Sequence, residues 1–223
     1  MAVVTISREY GSEGATIARN VADILGYHFV DKEFIGTVLN EYGIVEYDRE
    51  YDTLPGFWEQ FIALRDNRRE TMVEMLNQVV QALACHGDVV ILGRSGYAIL
   101  AGYSDVLHVR LQAPITVRME RVMSKQHVSA SQAEMMLKEN DKVRLAFVEE
   151  FYRMPWGAIH AFDLVINTGK VPPEAATRWI VDAVKNFMPG LEAGGPSARS
   201  VHPDPILTGV ISERLQCSKW HWR

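Results

Sequence analysis

The amino-acid sequence predicts an α/β protein in which helices cover both faces of a parallel sheet. Three observations carry this. Five short segments rich in Val, Ile and Leu are spread along the chain, stretches of helical periodicity separate them, and the first segment runs into a glycine loop that opens a helix. Apolar runs without clean alternation, as in the first and third segments, mark strands buried on both faces.

The elements follow in order. "AVVTIS" (2–7) is the first predicted strand, and Ile17, Val21, Ile24 and Leu25 then fall on one helical face. Gly26 is a plausible stop before the second strand, "YHFV" (27–30). Residues 31–87 look mostly helical, and Met72, Met75, Leu76, Val79, Val80 and Leu83 keep the i, i+3, i+4, i+7 pattern, so this stretch reads as a helical insert. The methionines are core filler on this reading. "DVVIL" (88–92) and "VLHVRL" (106–111) are the third and fourth strands. Pro114 suits a first helical position, and Ile115, Met119, Val122 and Met123 form the stripe of a second helical region, 114–153. "DLVIN" (163–167) is the fifth strand, and Ala176, Ile180, Val181, Val184 and Phe187 make the last apolar face. From residue 189 to 223 Gly, Pro and Ser break any period, so the domain is expected over 1–188 and a partly mobile extension beyond, in which "ILTGVISERL" packs as a short helix.

A chain of 223 residues holds one well-buried core. With 48% hydrophobic and 23% charged residues it has the composition of a soluble globular protein. A net charge of -5 disfavours nucleic acid as the main partner. No apolar run approaches the roughly 20 residues of a membrane span, and no basic leader precedes an apolar core, so neither a membrane nor a secretory destination is expected. Two cysteines, Cys85 and Cys217, form neither a disulfide framework nor a metal-spacing pattern, and the seven histidines lack paired spacing. A reducing cytoplasm is the expected compartment.

In a doubly wound sheet the first strand-to-helix turn is the phosphate position, because helix N-terminal amides point there. In "TISREYGSEGATIA" (5–18), Gly11 and Gly14 let the backbone approach an anion, and Thr16 places a hydroxyl in the first helical turn. Read alone, such a loop is weak evidence. Yet "ISREYGSEGATIARNVADILGYHFVD", "VVILGRSGYAIL", "DVLHVRLQAPITVRMERV", "KENDKVR" and "FDLVINTG" occur in that order, and together they resemble the cytidylate kinase-like family of P-loop nucleoside monophosphate kinases over about residues 3–187.

The resemblance implies a P-loop NTPase-type five-stranded parallel core with a nucleotide-binding insert after strand two and a lid before strand five, ATP as donor with Mg²⁺, and small nucleotides as partners. It implies that Gly11, Ser12, Gly14, Ala15 and Thr16 form the phosphate loop, that Arg94 holds the acceptor phosphate, and that Asp31 opens the acceptor-binding insert. Lys138, Asp141 and Arg144 match the K-x-x-D-x-x-R stretch of the lid, where Arg144, oriented by Asp141, would reach the transferring phosphoryl group, with Lys142 a further cation. Arg118 and Arg121 precede the lid and are expected to cap or pair locally.

One departure bears on the chemistry. The usual loop is G-x-x-x-x-G-K-[ST], and this chain has Ala15 where the lysine belongs and Glu13 inside the loop. Arg8 and Arg19 flank the loop and are the expected substitutes. Lys32 and Thr37 stand where the family usually has serine and arginine after the aspartate, which leaves the acceptor base open between cytosine and other pyrimidines. The reading is a phosphotransferase from ATP to a (d)CMP- or UMP-type acceptor. A nucleotide-binding module that has lost catalysis is the alternative, and the oligomeric state stays open.

Overall fold

The computed structural model describes residues 2–42, 66–155, 157–187 and 195–216. The central part of the predicted insert, 43–65, and the chain ends beyond these limits lie outside the described residues. The elements are β1 (Val3–Arg8), α1 (Gly14–Leu25), β2 (His28–Val30), α2 (Lys32–Tyr42), α3 (Asp66–His86), β3 (Val89–Leu92), α4 (Gly96–Ile99), β4 (Val106–Gln112), α5 (Ile115–Gln126), α6 (Ala130–Tyr152), β5 (Leu164–Asn167), α7 (Pro173–Lys185) and α8 (Pro205–Arg214).

All five strands are parallel, in the order β2-β3-β1-β4-β5. β1 is central and its neighbours are β3 and β4, so the chain reverses direction of travel at β1 and leaves a crevice beyond the carboxyl ends of these strands. Alternation along the strands divides the core. Val90 and Leu92 of β3 join Val4 and Ile6 of β1 under α1 and α7, whereas Val89 and Ile91 face α2, α3 and α8 on the other side. A third, smaller cluster of Val122, Ala133 and Leu137 holds α5 against α6. Ser129 starts α6 with a capping box, its hydroxyl accepting from the Gln132 N–H while the Gln132 side chain accepts from the Ser129 N–H. No helix among the described residues is long and apolar enough to cross a membrane.

Two expected stripes shift. Ile24 is 57% exposed, because the buried arc of α1 is centred on Val21 and Leu25 with the small Ala18 and Ala22 on its far side, which leaves Ile24 on the rim. Ile115, at the first position of α5, is exposed as well.

Beyond residue 188 the expected short helix forms as α8, and the described part of this stretch packs firmly against the domain. Residues 195–216 pack into the core: Ala198, Leu207 and Ile211 are fully buried in the α2–α3 layer. The Asp105 carboxylate accepts from the Ala198 N–H at 2.7 Å and the Ser197 hydroxyl at 2.5 Å, Cys85 Sγ–H donates to the Val201 carbonyl, and Arg214 pairs with Glu41 of α2. Asp204 caps α8 through the Ile206 and Leu207 amides. A Leu207→Ala chain should lose about 2–4 kcal/mol of stability in a urea titration, the usual range for a truncated buried leucine; a loss under about 1 kcal/mol would show that α8 is peripheral to the fold.

Candidate active site

The site grows from the turn after β1. Gly11 has φ 81°, and a Cβ there would lie 3.0 Å from the Arg118 carbonyl and 3.1 Å from its Cβ, so only glycine lets the loop lie this close to α5. Glu13 takes a left-handed conformation (φ 61°, ψ 17°) immediately before the helix, and α1 begins at Gly14. A Cβ on Gly14 would meet the Arg8 Cβ at 2.7 Å, so the loop folds back tightly on the end of its own strand. The first-turn residues Gly14, Ala15 and Thr16 thereby line an open cavity of about 230 Å³, whose opposite wall is α5 with Arg121, Lys125 and Gln126. Four cationic side chains, Arg8, Arg121, Lys125 and Arg144, line this hollow together with Glu9 and Glu13.

A second cavity, about 280 Å³, lies beyond the end of β3 and is lined by Lys32, Gly93, Arg94 and Tyr97, with Asn140 and Val143 of α6 across it. Arg94 and Ser95 are both left-handed (φ 53° each) and nearly buried, a strained pair of the kind that clusters at functional sites. Arg8, Tyr10 and Arg144 line both cavities, so the two hollows adjoin at these side chains. Tyr97 packs on Phe162 with ring centroids 4.6 Å apart, and burial pushes its phenol up to about 12, which keeps it protonated beside the second cavity.

Beneath the cavities runs a network of charges. Glu9 sits 3.5 Å from Arg118 Nε and 3.9 Å from Arg110 Nη2, and its carboxylate also accepts the Ala113 N–H. Arg118 donates to the Ala113 and Tyr10 carbonyls and to Asp141 Oδ2 at 2.5 Å. Asp141 Oδ1 accepts from the Tyr10 N–H at 3.0 Å and faces Arg144 Nη1 at 3.4 Å. Burial lowers the pKa of Arg110, partly offset by Glu9, and its Nη1 donates to Ser7. Arg121 donates to the Gly11 carbonyl and grips Thr168 through both its hydroxyl and its carbonyl, while the Thr168 hydroxyl donates to the Ser12 carbonyl. Arginines from α5 therefore hold the loop from behind.

Arg8, Arg94 and Arg144 lie around the cavities, and Gly11, Gly14, Ala15 and Thr16 line the first of them. Other residues take different positions. The Ser12 side chain is fully buried and its hydroxyl donates to the Glu9 carbonyl, so it braces the loop from inside. Asp31 caps α2 through the Glu33 and Phe34 amides, and its neighbour Lys32 is the residue that lines the second cavity. Asp141 is the hub of the charge network, with its shortest contact to Arg118 rather than Arg144. Arg19 lies over the Phe29 ring and near Asp31, away from the loop cavity, and Lys138 pairs with Glu134 along α6. Lys142 lines neither cavity. Arg121 pairs locally as expected, whereas Tyr10 and Lys125 were not singled out in the sequence; the spacing of four between Arg121 and Lys125 on a helix entering from the end of β4 is the signal for Lys125.

The 2-3-1-4-5 parallel order, with a glycine loop feeding α1 at the switch point, defines an α/β P-loop kinase fold. The model of the cytidylate kinase-like family matches residues 3–170, and the chain belongs to that family of kinase-like phosphotransferases. A cytidylate kinase of Ignicoccus hospitalis is 27% identical over 191 residues, 84% of this chain and 99% of its own. A cytidylate kinase of Pyrococcus horikoshii is also 27% identical, over 89% of this chain and 96% of its own. An uncharacterized protein from Eubacterium ventriosum superposes with a TM-score of 0.65 at 21% identity, covering 83% of this chain and 99% of its own, a likeness of fold.

Proposed function

We propose that the protein transfers the γ-phosphoryl group of ATP to a nucleoside monophosphate of the CMP, dCMP or UMP type, in the cytoplasm. The observation that carries this reading is the pair of adjoining cavities that share Arg8, Tyr10 and Arg144. A donor triphosphate in the first cavity would lie on the amides of Gly14, Ala15 and Thr16, and an acceptor phosphate in the second would meet the Arg94 fork. An acceptor phosphate oxygen then bonds to the γ-phosphorus as the bridging oxygen leaves with ADP, without a covalent enzyme intermediate. Arg8 and Arg144, at the junction, neutralise the equatorial oxygens, and α5 with α6 forms the lid that excludes water. The residues present suit Mg²⁺: the Thr16 hydroxyl and the Glu13 carboxylate, 3.3 Å apart at the loop, are a hard oxygen pair, and the ion would neutralise donor charge there.

The test is ADP release from ATP with CMP, dCMP, UMP, AMP and GMP in turn, alongside calorimetry with each nucleotide. Turnover with a pyrimidine monophosphate at least tenfold above the purines is the expected result. Tight binding of ATP and CMP without turnover would favour a nucleotide-binding module, the reading that Ala15 and Glu13 motivate, and no binding at all would sink both.

A further inference from the structure

With Ala15 in place of the loop lysine, the donor cavity needs another ammonium or guanidinium, because phosphoryl transfer depends on positioning and charge neutralisation. Four cationic side chains line that cavity: Arg8, Arg121, Lys125 and Arg144. Three are directed elsewhere. Arg121 spends its guanidinium on Gly11 and Thr168, behind the loop. Arg144 faces Asp141 and lies 5.8 Å from the Tyr10 ring centroid, at the junction of the cavities. The stem of Arg8 stands against Gly14 and its guanidinium lies over Gly93, towards the acceptor side.

Lys125 differs. It is exposed in the last turn of α5, it carries no ion pair among the described residues, and it shares a cavity wall-to-wall with Ala15 and Thr16. Its flexible four-carbon stem carries three donors on a compact charge, the same group the usual loop lysine supplies.

We infer that Lys125 provides the ammonium that position 15 lacks, contacting the β- and γ-phosphate oxygens of the donor from α5 instead of from the loop. This rests on the phosphotransferase reading. The charge then arrives from the helix hairpin and not from the cradle, so donor affinity depends on where α5 stands.

Lys125→Ala in the full chain is expected to weaken ATP binding tenfold or more in calorimetry with excess Mg²⁺, while CMP affinity stays within twofold. Adding Ala15→Lys to that variant should restore ATP affinity to within about threefold of the parent, since the ammonium returns by the ordinary route. Far-ultraviolet circular dichroism confirms the fold of each. Unchanged ATP affinity in Lys125→Ala overturns the assignment, and so does a loss that Ala15→Lys leaves unrepaired. A parent chain that binds neither ATP nor CMP refutes the phosphotransferase reading itself, which separates the two failures.

Discussion

Arg94→Ala is expected to lower kcat/KM for the acceptor by about 10³, or ~4 kcal/mol of transition-state stabilisation, with the fold intact. Arg94 follows β3 directly, is nearly buried, and lines the second cavity in a left-handed conformation. A buried guanidinium held in that strained turn is already oriented, so little ordering remains when a phosphate arrives. Arg94→Lys keeps the charge and loses the fork, and its loss should fall between about 10-fold and 100-fold. Steady-state kinetics with the acceptor varied checks both. A loss under threefold in Arg94→Ala would remove this residue from the acceptor site.

Arg118→Leu is expected to destabilise the protein by about 3 kcal/mol. Leucine fills part of the space but removes the Arg118 donors from the Ala113 and Tyr10 carbonyls and from Glu9 and Asp141, which keep only Arg110 with the Ala113 N–H and Arg144 with the Tyr10 N–H. Stranding charged partners of a buried pair costs about 3–5 kcal/mol, and the low end applies because the Glu9 and Asp141 side chains are 22% and 23% exposed and water screens them. The same change frees the loop from α5, so ATP affinity should fall with stability. Urea midpoints and calorimetry read the two effects, and a stability change below 1 kcal/mol would show that the network is not holding the loop.

The strands were legible to within about two residues because burial on both faces writes itself into composition, as in "DVVIL" against the observed Val89–Leu92. Backbone features of the site were equally legible: Gly11 and Gly14 mark the turn, and Arg94 follows a buried strand. Polar side chains with several possible partners were not. Ser12 turns to the Glu9 carbonyl three residues back, Asp31 to the amides of its own helix start and Asp141 to groups far away in the chain, and nothing in spacing says that Asp141 will meet Arg118 and the Tyr10 amide. The short helix in "ILTGVISERL" was legible, with Leu207 and Ile211, four apart, on its buried face, but the contacts of Ser197 and Ala198 with the distant Asp105 carboxylate were not.

The seating of α8 on α2 and α3, and of α7 on α1, bears on how the gene product can be shortened. The family-matched stretch ends at residue 170, before either helix begins. A fragment trimmed to that boundary would present Leu39 and Leu83 to water on one face of the sheet and Ile17 on the other, and fragments with such oily faces stick to one another at the concentrations used for purification. The foldable unit is therefore longer than the stretch that the family model matches.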